Sequence, residues 1–224
     1  MLKKFKDTHQ GETCVILGNG PSLAHTPRAL LENHASFGAN KIFLLSELPG
    51  WQGFVPTYYT VIDSKMIHDC TEHLRDYAVD AMFIRRGYPV RGSHQINTVV
   101  EAGFSKDINE KVVMGGTVTY ANLQIAYYMG FSTALLVGVD HRYGKYECKQ
   151  PGSTFIAEGA DDAHFHGSYF GDGRIYNAPE LNGTVRMYAL ADKVWRAAGR
   201  RIINLTPGTA LDVFEQGAFA DWMA

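Results

Sequence analysis

Five short runs rich in apolar and β-branched residues, separated by segments of helical spacing, restrict this chain to alternating strands and helices. They are Thr13 to Leu17, Tyr59 to Ile62, Ala81 to Ile84, Ala134 to Val139 and Arg201 to Leu205. Such alternation builds βαβ units around a parallel sheet rather than a sandwich or a bundle. Most of the runs lack polar alternation, as strands covered by helices on both faces do. Val118, Ala121, Ile125 and Tyr128 recur at helical spacing, and Gly130 follows where a C-cap belongs. A second helix is marked by Thr184 as its N-cap, by Met187, Leu190, Ala191, Val194 and Ala198, and by Gly199 at its end. From about 143 to 183 no period is sustained, while Gly, Asp, His and Tyr are frequent, so this stretch reads as a long loop or small subdomain, of the kind that usually forms a lid, a binding loop or a disordered segment. The expectation is one domain over 1–224: an α/β fold with a doubly wound, mostly parallel, Rossmann-like sheet and an inserted lid at about 143–183.

With 46% hydrophobic and 20% charged residues over 224 positions, a normal core is available, and disordered or fibrous folds are excluded. A formal net charge of -2 gives no basic excess. Nucleic acid is therefore not an expected partner, because binding it through counterion release needs that excess. Cys14, Cys70 and Cys148 form no metal-ligating pair and no disulfide framework, which suits structural roles in a reducing cytoplasm. The apolar run Cys14 to Leu17 behind the basic N-terminus is far shorter than the ~7 to 15 residues of a signal-peptide core, so a cytoplasmic protein is expected. No stretch approaches the ~18 apolar residues of a spanning helix. Peripheral membrane association and a homo-oligomer leave no such trace and stay open.

The strongest local signal is Gly18-Asn19-Gly20-Pro21-Ser22-Leu23, directly after the first strand. Glycines there permit a tight turn and close approach of backbone N–H groups to a phosphate, and a following helix would turn its positive end toward the same anion. The run is neither a dinucleotide fingerprint, since Leu23 stands at the third small position, nor a Walker loop, since no Gly-Lys-Ser/Thr follows. A plain β-to-α turn is the competing reading. For Asp140, at the end of a buried strand, the choice lies between function and capping of the turn from His141 to Gly144.

This motif resembles the bacterial sialyltransferases of glycosyltransferase family 42. It also resembles the wider group built on domain of unknown function 115, which includes flagellin-glycosylation proteins and archaeal 6-hydroxymethylpterin diphosphokinases. The resemblance continues in order through Phe37-Gly38-Ala39-Asn40, Thr117 to Gly130, Gly138-Val139-Asp140, Asp162-Ala163-His164-Phe165-His166 and Asn204-Leu205-Thr206-Pro207 with Leu211 and Phe214. It implies a nucleotide site at Gly18, Asn19, Gly20, Pro21, Ser22 and Asn40, with Asp63, Thr117 and Asp140 at the neighbouring strand and helix ends. Asp63 stands where the sialyltransferases carry an Asn. The resemblance also implies that His164 or His166 is the general base toward an acceptor hydroxyl. Tyr143, Tyr146 and Tyr169 are the phenols available to the leaving phosphate, and Arg142 is a further charge that could serve it. The implied activity is a metal-independent, inverting transfer of a CMP-activated, sialic-acid-like sugar, or a related one, from a small-molecule donor to a glycan or glycoconjugate, with no cofactor required.

Two other classes stay open. A pterin diphosphokinase would use ATP and magnesium and would need carboxylates such as Asp63, Asp140 and Asp162 to converge. A nucleotide-binding module without catalysis would keep Asn19 and Asn40 on a pocket that neither His164 nor His166 reaches. Asp140, His141, Asp161, Asp162, His164 and His166 also offer carboxylate and imidazole ligands of a type that suits a metal, with His164 and His166 on one face if they lie on a strand.

Overall fold

A computed structural model describes residues 2–146 and 153–223; Cys148 lies outside them. Its centre is an eight-stranded sheet in the order β12-β11-β8-β1-β2-β3-β4-β5, and every neighbouring pair in it is parallel. The strands are β1 (Thr13–Leu17), β2 (Ala35–Ala39), β3 (Tyr58–Val61), β4 (Ala81–Arg85), β5 (His94–Ile96), β8 (Thr133–Val137), β11 (Arg201–Asn204) and β12 (Glu215–Gln216). β6 (Thr98–Val99) and β7 (Val112–Val113) form a small parallel pair, and β9 (Thr154–Ile156) and β10 (Ile175–Asn177) an antiparallel one. The four α-helices are α1 (Ala29–Glu32), α2 (Ser64–Leu74), α3 (Val118–Met129) and α4 (Leu181–Ala197).

The period of two along β1 divides the core between the faces of the sheet. Cys14 and Ile16 join a cluster with α3 and α4, while Val15 and Leu17 join one with α2 and the lid aromatics. Full burial of each such aliphatic side chain contributes about 1.5–3 kcal/mol, which is why these strands carry almost no polar residues. α3 is buried almost all round, with ten of its residues buried, the polar Thr119, Asn122 and Gln124 among them. Thr117 caps its start, and Gly130 at φ 94° closes its end. Cys14 and Cys70 are fully buried, and burial pushes the Cys70 thiol up to about 12, consistent with packing roles.

The doubly wound parallel sheet matches the expectation, and three local readings, of the α4 start, of the helix after the first glycine motif and of the lid histidines, are corrected. α4 begins at Leu181, not after Thr184, because the Glu180 carboxylate accepts from Gly183 N at 2.7 Å; a carboxylate reaching back to an orphan amide replaces the hydroxyl cap. A five-residue 3₁₀ turn, Pro21–His25, follows the first glycine motif in place of an α-helix. The lid stretch contains the β9–β10 pair, on which Tyr146, Phe155, Phe170 and Tyr176 pack ring against ring. His164 and His166 lie on bends and turns between β9 and β10, not on a strand, so the face they were expected to share does not exist.

The sequence runs outward from β1 to β5 on one side and through β8, β11 and β12 on the other, so strand order reverses between β1 and β8. Open α/β sheets bind ligands at such a point, beyond the carboxyl ends of the strands. The loops there touch backbone to backbone: Gly18 N donates to Val137 O at 2.7 Å and Gly20 N to Gly138 O at 2.9 Å. A Cβ on Gly18 would collide with the Gly138 carbonyl, and one on Gly138, at φ +68°, would sit 2.8 Å from Leu23 Cβ. Gly138→Ala combines a left-handed φ with overpacking, each costing roughly 1–3 kcal/mol. Urea unfolding should show the variant about 2–4 kcal/mol less stable; an unchanged midpoint would mean that the loops are not held this closely.

Candidate functional site

A cleft of about 920 Å³ opens at the switch point. Its floor is the glycine motif after β1, Asn40 after β2 and Asp63 after β3; Asp140 and Tyr143 after β8, the start of α3, the first half of α4 and the lid complete its walls. The closing turn shapes it from behind. Thr206 Oγ1 accepts from Val139 N at 3.0 Å, Thr209 Oγ1 donates to Val139 O at 2.7 Å, and Ala210 N donates to Asp140 O at 2.9 Å. The Asn204-Leu205-Thr206-Pro207 segment thus holds the end of β8 in place.

The glycine motif does not form the open phosphate cradle that its glycines suggest. Ser22 Oγ donates to Asp140 Oδ2 at 2.7 Å and Ser22 N lies 3.3 Å from Asp140 Oδ1, so a carboxylate of the chain itself occupies the start of the 3₁₀ turn. Gly20 is glycine for the same reason, since a Cβ there would collide with that carboxylate. Asp63 is engaged as well. It caps α2 through Lys65 N at 2.9 Å and Met66 N at 3.1 Å, and accepts from Asn177 Nδ2 at 2.5 Å. Thr117 Oγ1 accepts from Thr119 N at 3.4 Å.

The two asparagines are placed differently. Asn19 reaches Ala39 O through Nδ2 at 3.4 Å, and Asn40 sits at φ 53°, with its carbonyl accepting from Tyr59 Oη at 2.6 Å. Both line the cleft, and their side-chain oxygens are buried with no hydrogen-bond donor among the described residues. A buried amide oxygen left unsatisfied costs about 1–3 kcal/mol, so this end of the cleft is prepared for a ligand that donates, such as a base amino group or a ribose hydroxyl.

The lid separates the expected catalytic residues. Phe165 N donates to Asn19 O at 3.0 Å, which pins the lid to the glycine motif and sets His164 in the cleft wall. The imidazole of His164 stacks on Tyr169, with centroids 3.9 Å apart and planes 6° apart, and its Nδ1 is 2.8 Å from Asp161 Oδ2. His166 is not among the lining residues. Its Nδ1 accepts from Ser168 N at 3.2 Å, and its Nε2 faces Glu47 at 3.4 Å. Tyr143 lines the cleft, and its phenol is raised by burial and by Asp140. Tyr146 packs instead against Phe155 and Phe170 behind it. Arg142 lines the cleft and donates to Gly208 O at 2.8 Å; Arg186, on α4, adds a second guanidinium. Asp162 is exposed outside the cleft, and no group of three or more His, Cys, Asp or Glu among the described residues is arranged to hold a metal ion. The acidic and histidine cluster of the sequence is therefore dispersed.

Sequence reasoning missed the clamp that fixes the lid. Asp69 on α2 accepts from Tyr176 Oη at 2.5 Å, pairs with Lys41 Nζ at 2.9 Å and contacts Arg174. Lys41 directly follows Asn40, and its side chain is only 10% exposed, so this salt bridge ties the asparagine loop and the lid to one helix. Asp69 and its lid partners Arg174 and Tyr176 lie more than a hundred positions apart, and a lysine inside an apolar stretch, Lys41, was the one available signal in the sequence.

These features define a Rossmann-like α/β protein whose ligand cleft lies at the switch point of its sheet. A family model described as 6-hydroxymethylpterin diphosphokinase MptE-like matches residues 1–146, and the chain belongs to that family. In fold it is similar to the sialyltransferase CstII from Campylobacter jejuni, solved with cytidine-5'-monophosphate, at TM-score 0.55 and 13% identity over 93% of this chain and 86% of that one. A variant of sialyltransferase Cst-II in complex with CMP aligns at TM-score 0.59 and 14% identity, over 94% of this chain and 88% of that one. No curated protein sequence matches. Among the described residues no helix is long and apolar enough to cross a membrane.

Burial opposes ionisation of Asp69 and Asp161. Hydrogen bonds outweigh it, from Tyr176, Lys41 and Arg174 at Asp69 and from His164, Ala163 and Phe170 at Asp161, and hold both carboxyls below their ordinary 3.8. A carboxyl depressed in the folded state contributes stability that is complete above its unfolded pKa and is lost as pH falls through the folded one. Unfolding free energy should therefore drop below about pH 4, and Asp69→Asn should flatten that acid limb. A variant with the full wild-type slope would show that the clamp carries no such linkage.

Proposed function

We propose that the protein is a nucleotide-dependent transferase, and specifically a metal-independent, inverting glycosyltransferase that takes a CMP-activated nonulosonic acid or related sugar and passes it to a glycan hydroxyl. The observation that carries this reading is one cleft lined both by two asparagines whose buried side-chain oxygens lack donors among the described residues and by a histidine held through Nδ1 by Asp161. The solved structures of similar fold that hold CMP support the choice of nucleotide.

Asn19 and Asn40 accept hydrogen bonds from the cytosine amino group or the ribose hydroxyls. The carboxylates of Asp140 and Asp63 are engaged with donors of the chain, and the phosphate is met by Arg142, Arg186 and the Tyr143 phenol, which line the same cleft. A glycan hydroxyl attacks the anomeric carbon as the bond from that carbon to the phosphate oxygen breaks, and CMP departs with the electron pair. His164 takes the hydroxyl proton at Nε2. The guanidiniums and the phenol stabilise the charge growing on the phosphate, the contribution that usually dominates such steps. A single displacement inverts the anomeric centre.

Membership in the MptE-like family favours a second reading, diphosphoryl transfer from ATP with magnesium. That route calls for convergent carboxylates, and Asp63 and Asp140 are bonded to the chain's own donors while Asp162 lies outside the cleft. A thermal-shift panel of CMP, CDP, UDP, GDP and ATP, each with and without magnesium, separates the two. A rise in Tm with CMP in the absence of metal is expected; a rise with ATP and magnesium alone would replace the transferase reading by the kinase. In transfer assays His164→Ala should lose about 10²- to 10⁴-fold in rate and His166→Ala should stay near wild type. Equal activity in both variants would remove the histidine from the mechanism.

A further inference from the structure

The imidazole of His164 is held on three sides. Tyr169 stacks on one face, the edge of Phe170 approaches at a centroid distance of 4.6 Å, and Asp161 meets Nδ1 at 2.8 Å. The Asp161 side chain is fully buried, and its other bonds are all to backbone donors of the same loop: Oδ1 accepts from Ala163 N at 2.8 Å and Oδ2 from Phe170 N at 3.2 Å. A carboxylate fixed in this way only accepts, so in the neutral imidazole the proton must reside on Nδ1 and the lone pair on Nε2. We propose that Asp161 is a positioning residue that selects the Nδ1–H tautomer of His164 and aims the unprotonated Nε2 into the cleft.

The rest of the loop follows from this requirement. Asp161 N donates to Gly167 O at 2.8 Å, so the chain turns back over its own carboxylate, and the lid supplies both the base and the group that orients it. The ionisable groups around the ring are Asp161, the stacked Tyr169 and Tyr143, whose ring lies 6.1 Å away. Burial raises both phenols, which leaves them neutral beside the histidine at physiological pH. Among the described residues the anion that meets the ring is Asp161, and an opposite charge within hydrogen-bond distance stabilises the imidazolium formed when the ring takes a proton. The pair is therefore suited to take a proton from an acceptor hydroxyl during transfer and to release it to solvent afterwards.

The assignment rests on the transferase reading for its purpose but not for its test. Protein labelled with ¹⁵N at histidine, examined by long-range ¹H–¹⁵N spectroscopy above the titration of His164, reports the tautomer without any turnover. The wild type should show protonated Nδ1 and free Nε2, with the signal assigned by its loss in His164→Gln. In Asp161→Asn the amide can donate to Nδ1, so the protonated nitrogen should become Nε2; Asp161→Glu should restore the wild-type tautomer at least in part. An Nε2–H signal in the wild type overturns the proposal even if Asp161→Asn does not fold, and so does an Asp161→Asn spectrum identical to wild type. Full transfer activity in His164→Ala would instead sink the base reading while leaving the tautomer result standing, so the two failures are distinct.

Discussion

The whole site depends on two backbone turns pressed against each other where the sheet changes direction. β1 and β8 run side by side, and their exits at Gly18 and Gly138 share hydrogen bonds at separations that no side chain could enter. With a Cβ at either position the loops would separate, Ser22 would lose Asp140, and Asn19 would no longer stand beside the lid. Close packing transmits such displacements instead of absorbing them. The glycines of the first motif thus serve contact between two loops before they serve any ligand.

A second constraint is electrostatic. The carboxylates at and beside the cleft are engaged with donors of the same chain: Asp140 with Ser22, Asp63 with the start of α2 and Asn177, Asp161 with His164, and Asp69 with Lys41, Tyr176 and Arg174. Buried charge is tolerable only when paired and hydrogen-bonded in this manner. What remains for a ligand is a pair of neutral acceptors, on Asn19 and Asn40, together with the Arg142 and Arg186 guanidiniums and the Tyr143 phenol along the same cleft. The unsatisfied amide oxygens and the Asp161–His164 contact are features of this chain itself.

Legibility in the sequence followed the range of the interactions. The five apolar runs, the α3 C-cap at Gly130 and the turn after β1 are set by neighbours in sequence, and each was readable as such. β2, β5 and the β6–β7 pair had no periodic signal, because two to five residues with small or mixed side chains do not display one. Thr184 was misplaced as a cap because a hydroxyl and a carboxylate four residues apart compete for the same orphan amides. His164 and His166 looked equivalent at a spacing of two, and only the bend between them turns one into the cleft and the other toward Glu47.

The sequence alone determined the alternation of strands and helices, the parallel sheet with both faces covered, and the tight turn after the first strand, because hydrophobic period and glycine placement act over a few residues. Tertiary structure decided that Asp140 fills the turn expected to cradle phosphate, that Asp69 and Lys41 hold the lid, and that Asp161 stands behind His164. These pairings depend on where buried charges find partners, and burial is a property of the assembled chain, not of any segment of it.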